Sequence, residues 1–225
     1  MGLLREDIEY VIHSDSKGNI FGPISKAHAH LKGVRETLVH YSTWSMVYLV
    51  SEGKYGIQLK NPEKPDSVCA GKWDMGVAGH NCYVKENGIY RPMGFDETLV
   101  KEAKEEIGIR LEMCKSKQEF IQKIKLKPKQ ALGFIFDRFY HETQINKEWV
   151  GLGFVIVYDT QLHFEDNEVV DFKWLSPEAL RRFLETNENY CSALPLAFEK
   201  AESFRRGIAK NLLSPGKSQY QKGAK

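Results

Sequence analysis

"DETLVKEAKEEIGI", residues 96–109, crowds three carboxylates, Glu102, Glu105 and Glu106, between lysines and a closing glycine. Leu99, Val100, Ala103 and Ile107 recur at helical spacing, Asp96 stands at the N-cap, and Gly108 supplies a left-handed stop. The stretch therefore predicts a helix. At roughly 100° per residue the glutamates share one face, about 110° from the middle of the apolar stripe. They lie at the boundary of the core, where like charges repel and need compensation. Divalent cations with a taste for oxygen, Mg2+ or Mn2+, are natural partners for such a cluster. The pattern alone equally allows a solvated helix held by ordinary pairs such as Glu97 with Lys101.

The flanking sequence sets the fold class. Residues 7–12, 37–50, 57–60, 75–84, 131–143, 148–160 and 167–176 read as strands, several rich in β-branched and aromatic residues. Residues 25–34 read as irregular, and Gly79 is expected to interrupt its strand. Helices are expected at 116–125, after Ser176-Pro177, and over 195–213. Strands before and after one central helix, with helices at the end, give an α+β fold rather than alternating βαβα units. We expect one domain over residues 1–213 and a disordered basic tail over 214–225, which has almost no apolar content.

Composition narrows the function classes. The chain has 225 residues, 42% hydrophobic and 28% charged, enough to bury a core without a metal or disulfide staple. A net charge of +2 gives no general bias towards polyanions. Cys69, Cys82, Cys114 and Cys191 form no C-x-x-C pair and read as scattered thiols of a reducing compartment. "MGLLREDIEY" lacks a signal-peptide core, and "MVYLV" at 46–50 is too short to span a bilayer. These features fit a cytoplasmic protein without membrane attachment. Lys115, Lys117, Lys123, Lys125, Lys127 and Lys129 form a basic stretch, but no interleaved aromatics offer stacking platforms for nucleic acid. Trp44, Trp73, Trp149 and Trp174 are expected to pack in the core.

"KEAKEEIGI" resembles the second half of the Nudix box, R-E-U-x-E-E-x-G-U with U aliphatic. Lys101 stands at the arginine, Ala103 at the aliphatic position, and Glu102, Glu105, Glu106, Gly108 and Ile109 match directly. Gly79 is similar to the opening glycine. The first half departs: Met93 replaces the usual glutamate, and "NCYVKENGIYRPM", residues 81–93, is inserted. The resemblance implies a Nudix fold, a mixed sheet sandwiched between helices. It also implies a pyrophosphate substrate and divalent metals held by Glu102, Glu105 and Glu106.

From about residue 7 to 205 the sequence is similar to the isopentenyl-diphosphate isomerase branch, through "GKWDMGVAGHN" and "NEVVDFKWLSPEAL". In that branch histidines and glutamates hold a metal; the matching positions are His30, His40, His80 and Glu148. His30 and His40 otherwise read as structural or surface residues. The isomerase cysteine, however, is Ala78 here, whose methyl group relays no proton. Cys82, four positions on, need not face the site. The expected activity is thus hydrolysis of a nucleoside diphosphate linked to another moiety, or of a related organic pyrophosphate. An isomerase or a weakly active nucleotide-binding module are the alternatives. Glu148 is a further metal ligand or the general base, with Glu168 as a second distal candidate. Gly79 and His80 are expected to touch substrate. A homodimer stays open.

Overall fold

The computed structural model describes residues 4–63, 68–126, 130–164 and 167–212. The tail at 214–225 and Lys127 and Lys129 lie outside these residues. The first strands are β1 (Tyr10–Ser14), β2 (Ile20–Ser25), β3 (Val39–Leu49) and β4 (Lys54–Lys60), with helix α1 (Lys26–Ala29) between β2 and β3. Four short strands follow, β5 (Trp73–Met75), β6 (Val77–His80), β7 (Tyr83–Glu86) and β8 (Ile89–Pro92). Then come α2 (Phe95–Ile107), β9 (Leu111–Met113) and α3 (Lys117–Lys125). Strands β10 (Ala131–Glu142), β11 (Lys147–Val157) and β12 (Val169–Leu175) precede α4 (Pro177–Thr186) and α5 (Leu194–Leu212).

A mixed sheet runs in the order β12-β4-β3-β11-β10-β9, with β1, β5 and β6 attached along it. The pairs β3–β11 and β9–β10 are parallel, and the rest are antiparallel. Strand β3 is central and buried on both faces, and its last four residues, 46–49, read as an unbroken apolar run. Its alternate side chains divide the interior in two. Trp44, Met46 and Tyr48 join Phe120 of α3, Leu180 of α4 and Phe198 of α5. Val47 and Leu49 face the other way, towards Leu99, Ala103 and Ile107 of α2. The sheet therefore lies between helices, as expected.

Several expectations change in detail. Helix α2 starts at Phe95 with Gly94, not Asp96, as its N-cap. Glu97 explains the shift: its carboxylate accepts the Gly94 N–H at 2.9 Å and pairs with Arg91 at 2.6 Å, supplying the cap from inside the first turn. Val100 leaves the apolar stripe and is 37% exposed, while Thr98 takes a buried position. Residues 25–34 are not wholly irregular, because Ser25 caps α1. The insertion folds as the β7–β8 hairpin, with Asn87 and Gly88 both at positive φ, the backbone a two-residue turn demands. Gly79 does not break its strand; it pairs with Thr43 inside β6. The four cysteines are not all scattered thiols. Cys69 and Cys191 are bonded, with Cα atoms 5.4 Å apart, and Cys82 and Cys114 are free. Spacing along the chain carries no record of such pairing in space.

Candidate active site

Strand β3 positions the histidines. Parallel β11 sets Glu148 opposite His40, and antiparallel β6 sets His80 opposite Ser42. Residues 40 and 42 share a face by the period of two. His30, at the C-cap of α1, completes the group. Its ring centroid lies 4.9 Å from that of His80, and the His40 and His80 centroids are 4.8 Å apart. One nitrogen from each ring lies within 4.8 Å of the others. His40 is 1% exposed, and neither of its nitrogens has a hydrogen-bond partner. Its Nε2 is 3.7 Å from Glu148 Oε1, too far for a hydrogen bond. Burial, and then the neighbouring His30, holds His40 down at about 3. Burial, then His40 and His30, holds His80 well below the usual imidazole range. Burial pushes the Glu148 carboxyl up to about 7.

The imidazoles of His40 and His80, held neutral, crowd with that of His30 and the Glu148 carboxyl, and the group fits a cation better than its members fit one another. Neutral nitrogen is the form that ligates, and an unpartnered buried ring otherwise forfeits its hydrogen bonds. Such a nitrogen-rich set suits Zn2+ or Mn2+ more than Mg2+.

The glutamates approach from α2, against the opposite face of β6. A Cβ on Gly79 would stand 2.3 Å from Glu102 Cδ, so the bare glycine is what admits the carboxylate. Lys101 pairs with Glu102 at 3.0 Å and with Glu105 at 2.6 Å. Burial, then the Glu106 carboxylate, pushes Glu102 up to about 7, with Lys101 opposing. Glu106 is wholly buried. It forms an ion pair with Lys60 of β4 and accepts from Gln58 Nε2 at 3.1 Å and from the Ala78 N–H at 2.9 Å. Asp74, opposite Gln58 in the β4–β5 pair, is pushed up to about 6 by burial, with Lys60 opposing. The sequence reading passed over Lys60, Gln58 and Asp74. A signal existed: in "YGIQLK", Tyr55, Ile57 and Leu59 alternate with Gly56, Gln58 and Lys60, a polar face on a strand otherwise fit for the core.

One cavity of about 620 Å³ gathers most of the expected residues. Gly79, His80, His30, Glu102, Glu105, Glu148 and Glu168 all line it, as do Ala78 and Lys60. His40 stands behind His80, and Glu106 is held beneath the wall by Lys60. Cys82 is not among the described lining residues. It packs with Val11, Ala29 and Leu38, its Sγ 3.1 Å from Glu9 Oε1, and burial raises its thiol far above the usual range. The basic stretch is partly neutralised: Lys123 pairs with Glu112 and Glu119, and Lys117 lies over the Phe204 ring. Trp44 and Trp73 are buried, as expected of core residues, while Trp149 and Trp174 are partly exposed.

No protein-family model and no curated protein matches the chain. Solved structures do. The protein DR0079 of Deinococcus radiodurans is 17% identical, with a TM-score of 0.56 over 88% of this chain and 98% of its own. The MutT protein of Methanosarcina mazei Go1 is 16% identical, with a TM-score of 0.49 over 75% of this chain and 96% of its own. A NUDIX-family hydrolase of Clostridium perfringens is 16% identical, with a TM-score of 0.45 over 73% of this chain and 97% of its own. At such identity the likeness speaks to architecture alone: the chain shares its fold, a mixed sheet between helices, with DR0079.

Proposed function

We propose that the protein is a divalent-metal-dependent pyrophosphohydrolase working through a single domain over residues 1–213. Its substrate in this reading is a nucleoside diphosphate linked to another moiety, or a related organic pyrophosphate. One observation carries the proposal: a single cavity joins Glu102 and Glu105 of the box-like helix to the histidines and Glu148. The mixed sheet between helices, which is the fold the resemblance implies, and the match of "KEAKEEIGI" to the box support it.

A divalent ion bound here would neutralise charge on phosphate oxygens and activate water. His30, His40 and His80 would hold it through neutral nitrogens, with Glu148 beside them. Glu102 and Glu105 would supply oxygen ligands on the far side of β6, where Mg2+ or Mn2+ is the better match. Lys26, Lys72 and Arg35 line the same cavity and would pair with phosphate oxygens. Gly79 and His80, which line the cavity, would touch the pyrophosphate. Glu148 would take the proton from water, since a carboxyl held near 7 by burial accepts protons at neutral pH.

The test is incubation of metal-free protein with Mg2+, Mn2+ or Zn2+ and a panel of nucleotide sugars, dinucleotides, ADP-ribose, nucleoside triphosphates and prenyl diphosphates. Two phosphate-bearing products from one pyrophosphate linkage are expected. Double-bond migration in a prenyl diphosphate without phosphate release would instead establish the isomerase. Tight nucleotide binding without turnover would establish the binding module. Ala78 at the isomerase cysteine position and the inward burial of Cys82 both weigh against the isomerase.

A further inference from the structure

We propose that Lys60 is the resident cation of the glutamate ridge: it holds Glu106 where a metal ion would otherwise sit, making Glu106 a positioning residue and not a metal ligand. The inference refines the hydrolase reading and rests on it for the meaning of the ridge, but its central test needs no turnover.

Three of the roughly four acceptor sites of the Glu106 carboxylate are committed. One oxygen takes the Lys60 ammonium, and the other takes Gln58 Nε2 at 3.1 Å and the Ala78 N–H at 2.9 Å. A metal at the first oxygen would meet the ammonium across that oxygen, a repulsion that favours binding elsewhere on the ridge while Lys60 stays in place. Lys60 is largely withdrawn from solvent. Its side chain is 9% exposed. Its backbone is tied on both sides, opposite Val169 of β12 and through its N–H to the Lys72 carbonyl at 3.0 Å. Asp74 stands on the neighbouring strand and adds to the negative field that retains it.

The other end of the ridge behaves differently. Lys101 satisfies Glu102 and Glu105, yet its side chain is 39% exposed. It can swing into water and surrender both carboxylates to an incoming ion. The same helix thus carries one fixed cation and one exchangeable cation. Metal binding to the ridge belongs at Glu102 and Glu105, while Glu106 fixes the register of α2 on β6 through the Ala78 N–H.

The stability cycle compares wild type, Lys60→Met, Glu106→Gln and the double variant, with Glu105→Gln and His80→Ala as metal-binding controls. Each is examined for Mn2+ binding by equilibrium dialysis and electron paramagnetic resonance, and for thermal midpoint without metal. Glu106→Gln should bind the same number of Mn2+ ions as wild type, while Glu105→Gln should lose about tenfold in affinity. Each single change at the pair should lower the metal-free midpoint by about 10 °C, since it strands a buried charge. The double variant should recover more than half of the loss. Lys60→Met should then regain stability with Mn2+, as the ion enters the space the ammonium left. Loss of one bound Mn2+ on Glu106→Gln, or strictly additive losses in the double variant, would overturn the proposal. If Lys60→Met does not accumulate, Glu106→Gln and the double variant still decide it. If Glu105→Gln and His80→Ala also leave Mn2+ binding untouched, the hydrolase reading loses its metal, while the stability cycle still judges Lys60.

Discussion

A methyl group on Gly79 would press into the Glu102 carboxylate, with Cβ and Cδ only 2.3 Å apart and the chain of β6 fixed against Thr43 behind it. Gly79→Ala must therefore push α2 off the strand. It should cost about 1–3 kcal/mol of stability and a large part of the activity, read by thermal melts and initial rates on one preparation. Glu148 offers the opposite dissociation of fold from function. Glu148→Gln keeps the size of the side chain but cannot take a proton, so kcat should fall by about 10²–10⁴. Metal-free stability at neutral pH should hold or rise, because burial disfavours the ionised Glu148 that the amide replaces. A parallel loss of rate and thermal midpoint would mean that Glu148 is structural. At this scale the glutamate ridge was legible, because three charges at helical spacing stand out in any reading. Its compensation was not. Lys60 lies 46 positions before Glu106, and no local pattern ties a strand-end lysine to a distant helix.

Elements were legible where a period repeats. Strands β3, β10 and β11 and helices α2, α3 and α4 declare themselves through alternation, apolar stripes or capping serines. Elements of three or four residues, such as β9 and α1, are too short to show a period and are made by their neighbours: β9 by parallel pairing to β10, α1 by its Ser25 cap. The long helix α5 also carries a polar knot that hydrophobicity does not predict. Glu202 is buried and accepts from Tyr55 at 2.9 Å, from Arg205 at 2.6 and 2.8 Å, and from Arg206 at 3.0 Å. Burial alone would raise its carboxyl, but these donors win and hold it below the usual range. A folded-state pKa below the unfolded one means that the unfolded chain binds the extra proton. The stabilisation is complete above the unfolded value of about 4.3 and fades as pH falls through the lower, folded value. Glu202→Gln should lose about 1.5–3 kcal/mol at pH 7 and show a flatter acid limb in urea-unfolding series taken from pH 7 to pH 3. An acid limb identical to wild type would remove Glu202 from the account.

Across the whole molecule, two apolar layers on either face of one sheet leave a polar seam at the end of β6, and that seam is the cavity. The layers follow from the composition of the strands. The seam does not, because it depends on the register that sets Glu148 opposite His40 and His80 opposite Ser42. Histidines at positions 30, 40 and 80 share no period, and only their likeness to a family's ligand positions linked them before the fold was known. Their convergence shifts the expected metal preference. Chelator-treated protein should regain thermal stability with Zn2+ or Mn2+ at concentrations where Mg2+ gives little, and His80→Ala should erase the difference. Equal rescue by all three ions would assign the metal to the carboxylates alone.

Cys69 and Cys191 stand 122 positions apart in the sequence, and the covalent link between them encloses β5 through α4. Within that ring lies Asn87-Gly88, the sole Asn-Gly bond of the sequence, at the exposed tip of the β7–β8 hairpin. Hydroxylamine severs such bonds. After cleavage in denaturant the two fragments should migrate as one band on a gel run without reductant and part into two when thiol is added. Separation without thiol would show that the ring is open.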